Sequence, residues 1–132
     1  MPATFAADDI ALAQRFYDAR GDRGVIAEVM SRDVVWDITP GFPHGGTYHG
    51  ANSVLGFLAA VGEQFSAMGV QPERFLADGD GHVVVLGHYA ATGANGQSAD
   101  ARFIHVWTIQ DGKLARLDQT ADTQVLAQLR QS

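Results

Sequence analysis

Cysteine is absent from this chain of 132 residues, which excludes disulfides, thiolate metal sites and a cysteine nucleophile together. Positive charge is scarce: nine Lys and Arg stand against fifteen Asp and Glu, for a net charge of −6. A surface of that sign repels the phosphates of nucleic acid, and no Lys/Arg cluster offsets it, so no nucleic-acid partner is expected. No apolar run approaches the roughly 20 residues of a membrane span, and no charged segment leads into an apolar one at the start. No membrane partner is expected, and with the missing cysteine this suits a cytoplasmic protein. A G-x-S-x-G elbow, a P-loop and a G-x-G-x-x-G turn are missing as well. His44 and His49 lie in a Gly-rich loop without carboxylates at ligand spacing, and His82 and His88 stand roughly 20 Å apart along a strand. No metal or other cofactor is expected.

What is present is the composition of an ordinary folded protein, 46% hydrophobic and 18% charged. The length suits a single domain over 1–132 with a real core. Asp8 is placed to cap a first helix with Ile10, Ala13, Phe16, Tyr17 and Arg20 at helical spacing, ended by Gly21. A shorter helix follows from about Asp22, through Val25, Ile26, Val29 and Met30. The period then changes, and Val34–Ile38 reads as a strand stopped at Thr39-Pro40-Gly41. The stretch from Pro40 to Gly50 is a loop carrying Phe42, His44, Tyr48 and His49. It is either the cover of a site or a plain connector with a short strand over Thr47–His49.

Asn52 or Ser53 caps a third helix with Val54, Phe57, Leu58, Val61, Phe65 and Met68 in one stripe, ended by Gly69. Beyond it, Gly79-Asp80-Gly81, Asn95-Gly96 and Asp111-Gly112 separate four extended runs, the pattern of an antiparallel meander. Asp122 or Thr123 caps a last helix with Val125, Leu126 and Leu129. Helices followed by a sheet make an α+β fold. The runs 82–93 and 98–110 are about twice the usual strand length of roughly 5–6 residues. Such strands twist and bend, and helices packed into the concave side leave a pocket at the open end.

The most informative stretch runs from Ala99 to Asp122. Asp111-Gly112 between alternating runs predicts a hairpin with a two-residue type I′ turn. Gln110 then opposes Lys113, Trp107 opposes Arg116, Phe103 opposes Thr120, and His105 opposes Asp118 with Cβ atoms roughly 5 Å apart. Taking Asn95-Gly96 as a second two-residue loop sets Leu86 opposite His105 and His88 opposite Phe103. One sheet face then collects Val84, Leu86, His88, Phe103, His105, Trp107, Asp118 and Thr120, aromatics around a few polar groups as in small-molecule pockets. The other holds Val83, Val85, Gly87, Tyr89, Ile104, Val106, Thr108, Leu117 and Gln119. With the helices assigned to the first face, the second is expected to meet another copy in a homodimer, unless it packs on the C-terminal helix.

A carboxylate beside an imidazole fixes its tautomer and raises its pKa, while apolar walls oppose charge on both. His105 with Asp118 therefore suits proton transfer next to a carbonyl. Ligand binding without chemistry, or a structural ion pair, fits the same two residues. Asp122 is a helix cap or an acid. Phe16, Tyr17, Trp36, Tyr48, Phe57, Phe65, Leu86, His88, Phe103, Trp107 and Thr120 are the expected pocket wall.

The helices, a strand ending in PG, a G-x-Y-x-G segment opening a helix, and a meander carrying F-x-H-V-W-T-I-x-D-G-K resemble the nuclear transport factor 2-like superfamily, and within it the SnoaL-like group. The resemblance covers nearly the whole chain. It implies a cone-shaped, cystatin-like fold, a curved antiparallel sheet with N-terminal helices packed on its concave face. That fold hosts isomerases, polyketide cyclases, epoxide hydrolases, dehydratases and noncatalytic members. The ketosteroid isomerase pattern fails here: its tyrosine falls at Phe16, with Tyr17 one place off, its base at Ile38 beside Asp37, and its second aspartate at His105. The Asp-Arg-Asp triad of the epoxide hydrolases has no counterpart, Arg102 being turned to the other face. The polyketide cyclases use an Asp and a His in the cavity, which implies His105 with Asp118 or Asp122. The expected function is cofactor-independent acid–base chemistry on a small apolar carbonyl compound, as an isomerase, cyclase or lyase. The alternatives are a noncatalytic binding module of the same shape and an interaction domain with a filled pocket.

Overall fold

The computed structural model describes residues 2–130, with side chains from 6 to 129. The elements run α1 (Pro2–Asp18), α2 (Arg23–Val29), β1 (Met30–Ile38), β2 (Gly46–His49), α3 (Ala51–Glu63), β3 (Ala67–Ala77), β4 (His82–Thr92), β5 (Ser98–Gln110), β6 (Lys113–Ala121) and α4 (Thr123–Arg130). Helix α1 already passes through Asp8, which therefore does not cap it. Asp22 does cap α2, its Oδ1 accepting the Val25 N–H at 3.1 Å. Helix α3 starts from Gly50 without a side-chain cap and stops short of Phe65. Met68 belongs to β3, because pairing with β4 (Met68 opposite Ala91) overrides the helical spacing of its side chain. No helix is long and apolar enough to cross a membrane, among the described residues.

The strands form one curved open sheet in the order β2-β1-β6-β5-β4-β3. All neighbours are antiparallel except β1 and β6, which run parallel. Helix α1 packs on β3, β4 and β6, and α3 on β1 and β2. On the face turned to these helices, Trp36, Ile38, Val83, Val85, Tyr89, Phe103, His105, Trp107, Leu117 and Gln119 are all buried. The hydrophobic core lies there.

Two hairpins depart from the simplest register by one residue each, and this decides which side chains face inward. The β5–β6 loop is the expected Asp111-Gly112 turn, with φ of +52° and +74° and Gln110 opposite Lys113. One step further, β6 carries a bulge at Ala115, so that Thr108 opposes Arg116, Val106 opposes Asp118 and His105 opposes Gln119. The expected His105–Asp118 pair does not form. The reason lies in Leu114 and Leu117, both buried although three positions apart. A strand of strict period two buries only one of them, and the extra residue restores both while keeping Arg116 and Asp118 out of the core.

The β4–β5 loop is Ala94-Asn95-Gly96 rather than Asn95-Gly96 alone. Gly93 N–H donates to the Gln97 carbonyl at 2.8 Å and Gly96 N–H to the Gly93 carbonyl at 3.0 Å, with Gly96 at φ +86°. This is a three-residue loop ending in a left-handed glycine. Leu86 consequently opposes Ile104 and His88 opposes Arg102. Leu86, His88 and Thr120, expected to line a pocket, lie on the outer face. His88 pairs there with Glu73 at 2.5 Å. Conversely Val83, Val85, Gly87, Tyr89, Leu117 and Gln119, expected on the second face, turn inward, while Ile104, Val106 and Thr108 stay outside.

Candidate functional site

Four elements bring their polar side chains to one buried chain of hydrogen bonds. Strand β5 supplies His105 and Trp107, β4 supplies Tyr89, β6 supplies Gln119, and α1 supplies Tyr17. The Tyr17 hydroxyl lies 2.6 Å from His105 Nδ1 and accepts Trp107 Nε1–H at 2.9 Å. The Tyr89 hydroxyl lies 2.8 Å from His105 Nε2 and accepts Gln119 Nε2–H at 2.9 Å. Gln119 Oε1 accepts the Thr39 backbone N–H at 3.3 Å, which fixes the orientation of the amide. Phe103 stacks on His105 at 3.9 Å. Its place depends on Gly87, the residue opposite, where a Cβ would come within 2.7 Å of Phe103 Cζ and 2.3 Å of the Gln71 carbonyl.

Burial drives His105 down to a pKa of about 3, and it pushes the Tyr17 and Tyr89 phenols up. At neutral pH all three are uncharged. A neutral imidazole carries one N–H, so this hydrogen and the two phenolic hydrogens share two links, Tyr17–His105 and His105–Tyr89. One hydroxyl hydrogen is left over: that of Tyr89 when Nε2 is protonated, that of Tyr17 when Nδ1 is. Tautomer exchange moves the spare donor from one phenol to the other.

Around this chain the rings of Trp36, Phe57, Phe42, Tyr89, His105 and Trp107 form a closed circuit, with successive centroids 5.5 to 6.3 Å apart. Leu117 and Gln119 sit between its β1 and β5 sides, by the register of β6. Phe42 enters from the loop after β1, where Gly45 N–H returns to the Phe42 carbonyl at 2.8 Å and Tyr48 donates to the His44 carbonyl. Phe16 packs on Tyr17, Trp36 and Trp107. Tyr48 packs on Phe57 at 4.8 Å, and Phe65 is buried at the end of α3.

The two aspartates assigned to proton transfer stand elsewhere. Asp118 is bound by Arg116 on the outer face at 3.0 Å, and Arg116 also reaches Asp37 at 3.6 Å. Asp122 is exposed and caps α4, its Oδ1 accepting the Val125 N–H at 3.2 Å. No carboxylate is bonded to His105 among the described residues. Tyr89 and Gln119 escape the sequence reading because it phases them outward, whereas Tyr17 is among the residues expected to line the interior. The spacing of Leu114 and Leu117 is the signal that would have turned Gln119 inward. Surface concavities of about 410 Å³, beside Ser31, Asp33, Thr108, Lys113 and Arg116, and about 270 Å³, beside Arg32, His49 and Asn52, do not reach the chain. No three His, Asp or Glu are grouped to hold a metal ion, among the described residues.

Comparison with curated proteins returns no match. Among solved structures, the chain is similar to TerC co-crystallised with polyporic acid, at 32% identity, a TM-score of 0.86, and coverage of 95% of this chain and 99% of that one. An NTF2-like protein of unknown function from Burkholderia pseudomallei is similar at 28% identity and a TM-score of 0.86, over 95% of this chain and 98% of that one. A putative SnoaL-like polyketide cyclase from Jannaschia shares the fold at 19% identity and a TM-score of 0.83, over 97% and 94% of the two chains. Residues 13–117 match the SnoaL-like domain family, and with most of its length so matched the chain belongs to that family, within the NTF2-like superfamily.

Proposed function

We propose that this protein binds a small, largely apolar carbonyl compound in the interior of the fold, through neutral hydrogen-bond donors. The observation that carries the proposal is the buried Trp107–Tyr17–His105–Tyr89–Gln119 chain, with one unspent phenolic hydrogen inside a circuit of aromatic rings. A carbonyl oxygen is the group that accepts such a hydrogen without bringing charge into an apolar interior. Phe42, on a loop closed by its own backbone hydrogen bonds, covers the Tyr89 side. TerC, which was co-crystallised with polyporic acid, supports a small organic molecule as the ligand.

Titration with polyporic acid tests this. Saturable movement of the Tyr17, Tyr89 and His105 NMR signals is expected, with Tyr89→Phe weakening binding about 5-fold or more for the lost hydrogen bond. Movement confined to surface residues contradicts it.

A second reading, a cofactor-independent isomerase or cyclase, is favoured by the place of His105 between two phenolic hydroxyls, at 2.6 and 2.8 Å. A substrate that gives a proton to one phenol and takes one from the other lets the ring carry it across, with every group neutral before and after. His105 paired with Asp118 is not the machinery, because the two lie on opposite faces.

The proposal also includes a homodimer through the outer sheet face, where Ile104 and Leu76 are 46% and 45% exposed. A cysteine-free chain suits the reducing cytoplasm, and the proposal places it there.

A further inference from the structure

Trp36 and Trp107 are the two tryptophans of the chain, and both face the interior. Trp107 spends its indole N–H on the Tyr17 hydroxyl. Trp36 is 3% exposed, and its Nε1 has no hydrogen-bond partner. It is the one buried side-chain nitrogen or oxygen in that condition among the described residues. Its position is fixed from both sides, by Tyr48 on β2 and Leu117 on β6. The rings of Phe16, Phe57 and Trp107 surround it at 5.7, 6.1 and 5.8 Å. Leaving a donor unanswered in such a place is costly, and native proteins do it rarely.

We infer that Trp36 is a ligand-binding residue whose indole N–H donates to an oxygen of the molecule held within the aromatic circuit. This rests on the interior site proposed above and adds a second anchor to it. The first anchor is the spare phenolic hydrogen of the Tyr17–His105–Tyr89 chain. Trp36 borders that chain through Trp107, whose ring lies 5.8 Å from Trp36 and 6.3 Å from His105, and through Phe16, which packs on both Trp36 and Tyr17. Two donors on different elements, the indole on β1 and a phenol on α1 or β4, select a molecule with two acceptor oxygens rather than one. A hydrocarbon of the same outline satisfies neither, and an ammonium, which has no lone pair, opposes both with hydrogens of its own. The competing account is that the N–H rests against an aromatic face, for which the 70° and 73° angles to Phe16 and Phe57 are suitable.

The test compares 1,4-naphthoquinone with naphthalene, alike in outline but with and without two oxygens, by proton NMR of the two indole N–H signals. In the wild-type protein the quinone is expected to move the Trp36 signal downfield, while naphthalene shifts it little. Trp36→Phe is expected to weaken the quinone about 5–10-fold, one hydrogen bond, and naphthalene by less than about 2-fold. A Trp36 signal unmoved by bound quinone overturns the inference, and needs no variant. Equal losses for both compounds in a folded Trp36→Phe protein also overturn it, leaving only packing. If neither compound perturbs any interior signal, the interior site itself is contradicted and the inference falls with it.

Discussion

Burying an imidazole with phenols on both sides, and no carboxylate, moves its proton equilibrium in one direction only. His105 binds a proton in the folded protein at a pKa of about 3 and in the unfolded chain near 6.5. Between those values the unfolded state holds more protons, so stability rises with pH. The contribution is present in full above about pH 6.5 and is lost as pH falls toward 3. Urea unfolding at a series of pH values checks this. The wild type is expected to lose up to about 1.4 kcal/mol per pH unit below 6.5 from this group. His105→Gln is expected to remove that part of the slope, whatever it does to stability at pH 8. Identical slopes for the two proteins would mean that His105 is charged in the folded state. Reading F-x-H-V-W, the sequence puts Phe103, His105 and Trp107 on one face, because residues two apart share a face wherever the strand lies. Its partner across the sheet is not legible that way.

At the scale of elements, that partner is decided by loops and bulges. Asp111-Gly112 forms the expected turn, and the register slips three residues beyond it, at Ala115. A bulge has no turn residue to announce it; here its trace is a pair of buried leucines with two residues between them. The Gly93–Gln97 hairpin fails for a related reason: Asn-Gly serves both a two-residue loop and the end of a three-residue one. Each slip reverses every side chain on one strand, which is how Asp118, Leu86, His88 and Thr120 leave the interior while Tyr89 and Gln119 enter. Gly87 shows how tightly the strands then fit. Gly87→Ala sets a methyl against the Gln71 carbonyl and the Phe103 ring that stacks on His105. It is expected to cost about 1–3 kcal/mol from overpacking and to move the His105 ring signals in NMR. A variant as stable as wild type with unmoved signals would mean that Phe103 yields freely.

For the whole molecule, the class and the order of elements were readable, because helical spacing, turn dipeptides and strand length survive errors of one residue. The family resemblance used that same order and holds over residues 13–117. The face assigned to a second copy was less legible, since six of its nine expected residues turn inward. What remains outside is still apolar at Ile104 and Leu76. Ile104→Lys is expected to convert a dimer to a monomer in sedimentation velocity with little change in melting temperature. A wild-type protein that sediments as a monomer at high concentration would contradict the proposed pairing.

The proposed interior site depends on His105 being a neutral relay between two phenols, in reach of a ligand. The nitrogen NMR spectrum of its ring, recorded from pH 4 to 8 with and without polyporic acid, measures this directly. The expected result is one neutral ring that does not titrate over that range, and whose balance of Nδ1–H and Nε2–H shifts when the compound binds. Titration near pH 6.5, or a ring spectrum indifferent to saturating compound, would contradict it.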